Sequence, residues 1–252
     1  MKKTLSIILL FWAFAAMAQS PKNLMSQGNM AYQKGDFEAA AKAYNAIIDA
    51  GYRNAEVFYN LGNAYYRQDE FGLAILNYER ALNLKPGFRD AKENLDLANS
   101  KIEDEIDALP ELFIVKWARG LTLWLSPTGW LILILGIAAI LGAISAFFVL
   151  SNDYRLRKFS LIVGGLFALL LIIAGICGIA ASARQNNHRD AIVTKPLVEV
   201  KSSPENNSVD KLVLHEGTKV RREETLGEWH KIRIADGNTG WVTDEDITMV
   251  QL

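Results

Sequence analysis

Hydrophobic and polar positions follow four different patterns along the chain. Residues 4–15 form a short apolar run behind Lys2 and Lys3. Residues 21–107 mix apolar and polar positions at three- and four-residue spacing, which predicts amphipathic helices. Residues 130–150 and 159–183 carry no charge, and each exceeds the ~18 apolar residues that predict a membrane-spanning helix. From Asp190 onward short runs alternate, at 191–193, 197–200, 212–214, 219–222, 229–234 and 240–242. That alternation, with a hairpin signal at Asp236-Gly237, predicts a small β barrel of about five short strands.

The first run reads as a Sec-type signal peptide, residues 1–18. Ala16-Met17-Ala18 fits the small-x-small cleavage pattern and leaves Gln19 as the new N-terminus. An uncleaved anchor is the alternative, but the run is short for a span of ~20 residues. No cysteine lies near the cut, which excludes a lipoprotein. The mature chain is expected outside the cytoplasm.

The second pattern repeats every 34 residues. Gly28 and Gly62, Ala40 and Ala74, and Tyr44 and Tyr78 are each 34 apart, and Gly35-Asp36-Phe37 answers Asp69-Glu70-Phe71. Small residues let two antiparallel helices approach closely, aromatic residues fill the wedge to the next repeat, and Pro86 stops the second pair. With Phe58, Leu61, Gly62, Tyr65, Ala74, Tyr78, Ala81 and Pro86 in place, the second copy resembles the tetratricopeptide repeat. The first copy is looser, with Ala31 and Tyr52 at two pattern positions. The expected domain covers 19–107: repeats at about 21–54 and 55–88, then a capping helix over 89–107. Ala91, Leu95, Ala98 and Ile102 supply the apolar stripe that covers the open end of the stack.

The resemblance implies a concave face built by the first helix of each repeat. It would carry Met25, Asn29, Tyr32 and Gln33, then Tyr59, Asn63, Tyr66 and Arg67. Asn29 and Asn63 share one repeat position, where peptide-binding members of the family hydrogen-bond a ligand backbone. The competing reading is a merely solvated face. Phe37, Phe58, Phe71 and Tyr78 are expected in the core.

The two uncharged stretches, 130–150 and 159–183, form a transmembrane hairpin. The loop between them, 151–158, holds Arg155, Arg157 and Lys158 and is placed in the cytoplasm by the positive-inside rule. Both soluble modules then face the same outer side, in agreement with the signal peptide. Ala138, Gly142 and Ala146, and Ala174, Gly178 and Ser182, make small-residue stripes that either close the hairpin or receive a partner's helices. Residues 108–129 combine two tryptophans with Lys116 and Arg119, which suits a helix lying at the bilayer surface; a third span is the alternative. Ser126-Pro127 is a start signal for the first span.

The tail, 190–252, resembles bacterial SH3-like domains through Trp229-His230-Lys231-Ile232 and Asp236-Gly237-Asn238-Thr239-Gly240-Trp241-Val242. Relatives of that kind bind peptides or cell-wall components. The resemblance implies Trp229, His230 and Trp241 as groove residues; the alternative buries both tryptophans in the barrel core.

Composition sharpens this picture. The net charge of -1 is a cancellation: residues 19–107 carry a net of -4, residues 189–252 a net of -3 and residues 108–188 a net of +4, beside the two lysines of the leader. No basic domain suited to nucleic acid is present. One cysteine, Cys177, excludes a disulfide framework and a multi-cysteine zinc site. His188, His215 and His230 have no metal-ligand spacing, and no phosphate-binding loop or nucleophile elbow occurs. The spans lack the buried charges that a transport path needs. No enzyme activity, metal or cofactor is expected.

The order of modules is unusual: leader, two repeats, hairpin, terminal β domain. It resembles the BatE-type proteins of the Bacteroides aerotolerance (Bat) group over the full chain. That resemblance implies the bacterial inner membrane, with repeats and β domain in the periplasm. It implies partners among von Willebrand A-domain Bat proteins and a MoxR-type ATPase system, and a link to oxygen tolerance or envelope stress. The expected function is a non-enzymatic scaffold contacting proteins and membrane lipid. The alternative is an envelope sensor or peptidoglycan-binding anchor acting through the SH3-like domain.

Overall fold

The computed structural model describes residues 20–104, 106, 112–185 and 189–251. The expected signal peptide, residues 105 and 107–111, His188 and Leu252 lie outside the described residues.

Four helices build the two repeats: α1 (Pro21–Gln33), α2 (Phe37–Asp49), α3 (Ala55–Tyr66) and α4 (Phe71–Leu84). Their starts are written in capping chemistry. Side-chain oxygens of Ser20, Asp36 and Asn54 accept the backbone N–H groups of Asn23, Ala39 and Glu56, each satisfying an otherwise orphaned donor. At the turn within each pair the left-handed conformation falls to Gly35 (φ 80°) in the first repeat and Asp69 (φ 61°) in the second. Gly28 and Gly62 are the points of closest approach. A β-carbon on Gly28 would lie 2.5 Å from the Tyr44 ring, and one on Gly62 would lie 2.7 Å from the Tyr78 ring. Among the described residues Tyr44, Tyr78, Phe58, Ile47, Leu61 and Ile75 are the large fully buried side chains of this layer.

Helix α5 (Arg89–Asn99) covers the end of the stack with Ala91, Leu95 and Ala98. The capping segment differs from the single helix expected over 89–107. It leaves helical geometry after Asn99 and becomes a strap, because its last apolar residues are claimed by other layers. Ile102 packs on the α4 core and Ile106 on the core of the terminal sheet.

Helix α6 (Phe113–Thr122) packs on α8 at the end away from the turn of a helical hairpin formed by α7 (Pro127–Leu150) and α8 (Tyr154–Gln185). Ser126 caps α7 by accepting the Gly129 N–H, and Pro127 takes the first turn. Both long helices are apolar and long enough to cross a membrane. The non-helical turn is residues 151–153, and Arg155, Arg157 and Lys158 stand on the first turns of α8. The small-residue stripes divide. Ala174 and Gly178 of α8 face α7, where Trp130 and Ile134 fit against them, whereas Ser182, the third residue of that stripe, is exposed. Ala138, Gly142 and Ala146 of α7 face outward. The reason is steric: large side chains on one helix need small ones opposite, and two facing stripes of small residues would leave a void.

The tail forms one antiparallel sheet of seven strands: β1 (Asp190–Val193), β2 (Leu197–Lys201), β3 (Asp210–His215), β4 (Lys219–Leu226), β5 (Trp229–Arg233), β6 (Thr239–Thr243) and β7 (Ile247–Met249). Their order is β3-β2-β6-β5-β4-β1-β7. This corrects the expected closed barrel of about five strands. The sheet stays open: β7 adds to β1 through Ala191 and Met249 and becomes one edge, β3 is the other, and no ladder joins the two among the described residues. Val193, Val198, Val200, Leu214, Val220, Ile232 and Val242 fill its core. At Gly240 a β-carbon would lie 2.3 Å from Val200, so glycine is required where β6 crosses β2.

The sheet docks on α4. Ile192 and Val250 share a buried cluster with Ala74, Ile75 and Tyr78, and each such aliphatic side chain contributes about 1.5–3 kcal/mol by leaving water. Arg80 donates from Nε to the Val250 carbonyl (3.2 Å) and from Nη2 to that of Met249 (3.0 Å). Burial, with the neighbouring Arg53, lowers its pKa to about 10, so it stays charged at neutral pH. The strap adds a second polar lock. Asp104 accepts the His215 N–H at 2.7 Å and pairs with the His215 ring at 2.7 Å, and Thr218 donates to the same carboxylate. Burial alone would raise the Asp104 pKa, but the bonds from His215 and Thr218 outweigh it and hold it below the usual range. The bond to Asp104 raises that of His215.

Gly62→Ala should destabilise the repeats by about 1–3 kcal/mol, because Tyr78 has no room to retreat; circular-dichroism melting measures it. The raised pKa of His215 means that its stabilising share is complete below the ordinary histidine range and fades as pH rises through the raised value. The depressed pKa of Asp104 means that its share fades on acidification below the usual carboxylate range. The dock should therefore be tightest in mildly acidic solution. Protection factors of residues 101–104, which discount the base-catalysed rise of intrinsic exchange, should fall above neutrality, and His215→Gln should remove that fall; an unchanged protection profile would refute the lock.

Candidate functional site

Between the first helices of the two repeats lies a groove of about 260 Å³, lined by Asn29, Tyr32 and Gln33 of α1, Tyr44 of α2, and Asn60 and Asn63 of α3. Its polar floor has the same construction twice. Tyr44 donates its hydroxyl to Asn29 Oδ1 at 2.8 Å, and Tyr78 donates to Asn63 Oδ1 at 2.8 Å. An amide one helix further on donates to the same oxygen: Asn60 Nδ2 to Asn29 at 3.3 Å and Asn94 Nδ2 to Asn63 at 2.8 Å. Burial pushes the Tyr44 hydroxyl up to about 12 and raises that of Tyr78 as well, so both remain donors at physiological pH.

Chemically this fixes the orientation of two carboxamides. Each oxygen is occupied twice, which leaves Nδ2 of Asn29 and Asn63 as donors with no protein partner among the described residues. A pair of pre-oriented amide donors one repeat apart can meet the carbonyl oxygens of an extended peptide at low entropic cost.

Two aromatic contacts repeat as well, and of their residues only Tyr32 belongs to the groove lining. Tyr32 meets Phe37 edge-on at 5.2 Å, and Tyr66 meets Phe71 in the same way at 5.5 Å. Arg67 lies 4.4 Å over the Phe37 ring and so bridges the two repeats. Of the eight residues expected on the concave face, the groove brings together Asn29, Tyr32, Gln33 and Asn63. Met25 packs on the core of the first repeat, and Tyr59 packs against Phe88 at 4.9 Å. Tyr44, Asn60 and Asn94 also belong to the polar floor, beyond the residues that the family resemblance implies. Asn60 and Asn94 are themselves 34 apart, a signal that the repeat alignment contains.

On the terminal sheet Trp229 and Trp241 lie outside the core cluster. Alternation on β5 and β6 puts them on the outer face together with Lys231, which pairs with Trp241 across the strands. His230 points the other way. It is 4% exposed, and both ring nitrogens are engaged, Nδ1 by Thr225 and Nε2 by Asp244. The face that remains accessible is therefore Trp229, Lys231 and Trp241.

Among the described residues no group of three or more His, Cys, Asp or Glu side chains is placed to hold a metal.

Helix pairs related by a 34-residue offset, with a groove between their first helices, define a helical-repeat interaction module. Residues 25–87 match the family model described as tetratricopeptide repeat. No curated protein sequence matches the chain. The tetratricopeptide family is typically a non-enzymatic scaffold, so the repeats point to a role in protein–protein interaction and to protein partners. The two apolar helices are compatible with membrane insertion.

Tyr78→Phe should cost about 1 kcal/mol of stability, the usual worth of a buried neutral hydrogen bond. It should also weaken binding of any groove peptide, because the Asn63 carboxamide loses one of the two donors that orient it. A melting curve and a peptide titration on the same variant separate the two effects, and unchanged binding would sink the orienting role.

Proposed function

We propose that the chain is a membrane-anchored scaffold that holds an extended segment of a protein partner in its repeat groove. The observation that carries this reading is the repeated tyrosine–asparagine–asparagine arrangement, which leaves two oriented amide donors one repeat apart. The outer face of the sheet, with Trp229 and Trp241, serves as a second contact surface in the manner of an SH3-like domain. Docking of the sheet on α4 keeps the two surfaces at fixed separation, so a target that engages both gains effective concentration.

The order of modules supports a place in a Bat-type envelope complex at the inner membrane, with both surfaces in the periplasm. In that setting von Willebrand A-domain proteins, served by a MoxR-type ATPase, are the partners to look for. The three-residue turn between α7 and α8 offers little for a cytoplasmic protein to read, which favours the scaffold over a transmembrane sensor.

The test is a photo-crosslinking residue at Gln33 in intact membranes. Capture of a defined partner should fall about tenfold in the Asn29→Ala, Asn63→Ala double variant, the loss expected for two hydrogen bonds left unmade. Capture that survives this change but is lost in Trp229→Ala, Trp241→Ala would move the binding site to the sheet.

A further inference from the structure

At the outer end of the hairpin, where α8, the α6–α7 turn and the soluble modules meet, lies a cavity of about 200 Å³. Its walls include Arg184 from the last turn of α8, Gln251 beyond β7, Leu123 from the turn, and Glu79, Asp190 and Lys219 from the dock. Lys219 lies 2.8 Å from Glu79 and 4.0 Å from Asp190, so those three charges are engaged with one another. Among the described residues Arg184 has no such partner. Its Nη1 and Nη2 are shielded from solvent with no hydrogen-bond acceptor among those residues, and Gln251 Oε1 in the same cavity is likewise shielded with no donor. A guanidinium hidden from water without an acceptor is costly, and so is a hidden carboxamide oxygen without a donor.

The two orphans ask for complementary ligand groups. The flat fork of Arg184 matches the two oxygens of a phosphate. Gln251 Oε1 requires an N–H or O–H donor. The four charged side chains of the wall sum to zero, which favours a ligand with no net charge over a plain anion. Position narrows the choice further. The uncharged stretch 159–183 has 25 residues, about 37 Å of helix at 1.5 Å per residue, enough to cross a hydrocarbon core of about 30 Å. Arg184, the next residue, then falls at the level of the lipid phosphates, with Leu123 beside it.

We infer that this cavity is a binding site for a phosphoethanolamine headgroup, with the phosphate on Arg184 and the ammonium donating to Gln251, and that a bilayer phospholipid supplies it. The ammonium of ethanolamine carries N–H donors, whereas the quaternary ammonium of choline carries none, so the site distinguishes the two. An occupied site ties lipid to α8 and to the residues after β7 at once, and so sets the soluble body on the membrane. The inference rests on the membrane insertion proposed above, and a carbonate wash of membranes tests that insertion by itself.

The decisive experiment is native mass spectrometry of the full chain released from nanodiscs of defined lipid. Phosphatidylethanolamine should be retained one per chain, and phosphatidylcholine and phosphatidylglycerol should not. Arg184→Gln should lower retention about tenfold, the size of one lost charge-assisted contact, while Arg157→Gln at the opposite end of the hairpin should not. Arg184→Lys keeps the charge but loses the fork and should fall between them. Soluble glycerophosphoethanolamine is the competing source: if it binds Arg184-dependently while the lipid is not retained, the lipid assignment fails. Equal retention of phosphatidylcholine, or retention unaffected by Arg184→Gln in a chain that survives the carbonate wash, would overturn the site.

Discussion

Arg80 donates to carbonyls 169 and 170 positions further along the chain, and most of the architecture depends on that reach. Between donor and acceptors lie both apolar helices. For Ile75 and Tyr78 to share a cluster with Ile192 and Val250, chain before the hairpin and chain after it must meet on one side of any membrane those helices cross. An even number of crossings is then a packing requirement rather than a rule about loop charge. The strap from α5 strengthens the requirement, since Ile102 enters one core, Ile106 the other, and Asp104 binds His215 and Thr218 between them.

The dock uses the second helix of the second repeat, and this explains why the groove stays available. Helices α1 and α3 line the groove, and α4 carries the sheet. The polar floor belongs to both roles. Tyr78 is buried in the cluster that receives the sheet, and its hydroxyl is the donor that orients Asn63. Packing of the terminal sheet and presentation of a groove donor therefore pass through one aromatic ring. The first repeat has the same tyrosine and asparagine but no sheet behind it.

Much of this was legible in the sequence because it is local and periodic. The 34-residue offset repeats a glycine–tyrosine pair, Gly28 with Tyr44 and Gly62 with Tyr78, across each helical hairpin, and sterics alone explain that pairing. The uncharged stretches state their own length. What could not be read were contacts between distant segments. Asn29 and Asn63 look like free groove donors in a linear reading; only the fold shows that their oxygens are already held by Tyr44, Tyr78, Asn60 and Asn94. His230 follows Trp229 in the motif that the SH3-like resemblance marks as a groove, yet alternation itself sends it inward to Thr225 and Asp244. Strand β7 has three residues behind Asp244-Glu245-Asp246, too short to announce itself, and its pairing with β1 makes it an edge of the open sheet.

The hairpin carries the same lesson about partners. Two stripes of small residues look equivalent when each span is read alone, but a close-packed pair uses only one, because Trp130 and Ile134 need the Ala174–Gly178 surface opposite them. At its outer end the hairpin also stops being purely apolar. Arg184 is the first charge after 25 uncharged residues, and the fold encloses its guanidinium rather than releasing it to water. A chain that needed only an anchor could leave that charge to snorkel freely among lipid phosphates. Enclosing it beside Gln251 and the dock couples the membrane end of α8 to the body that carries the groove. Whatever occupies that cavity is then in contact with both the anchor and the scaffold.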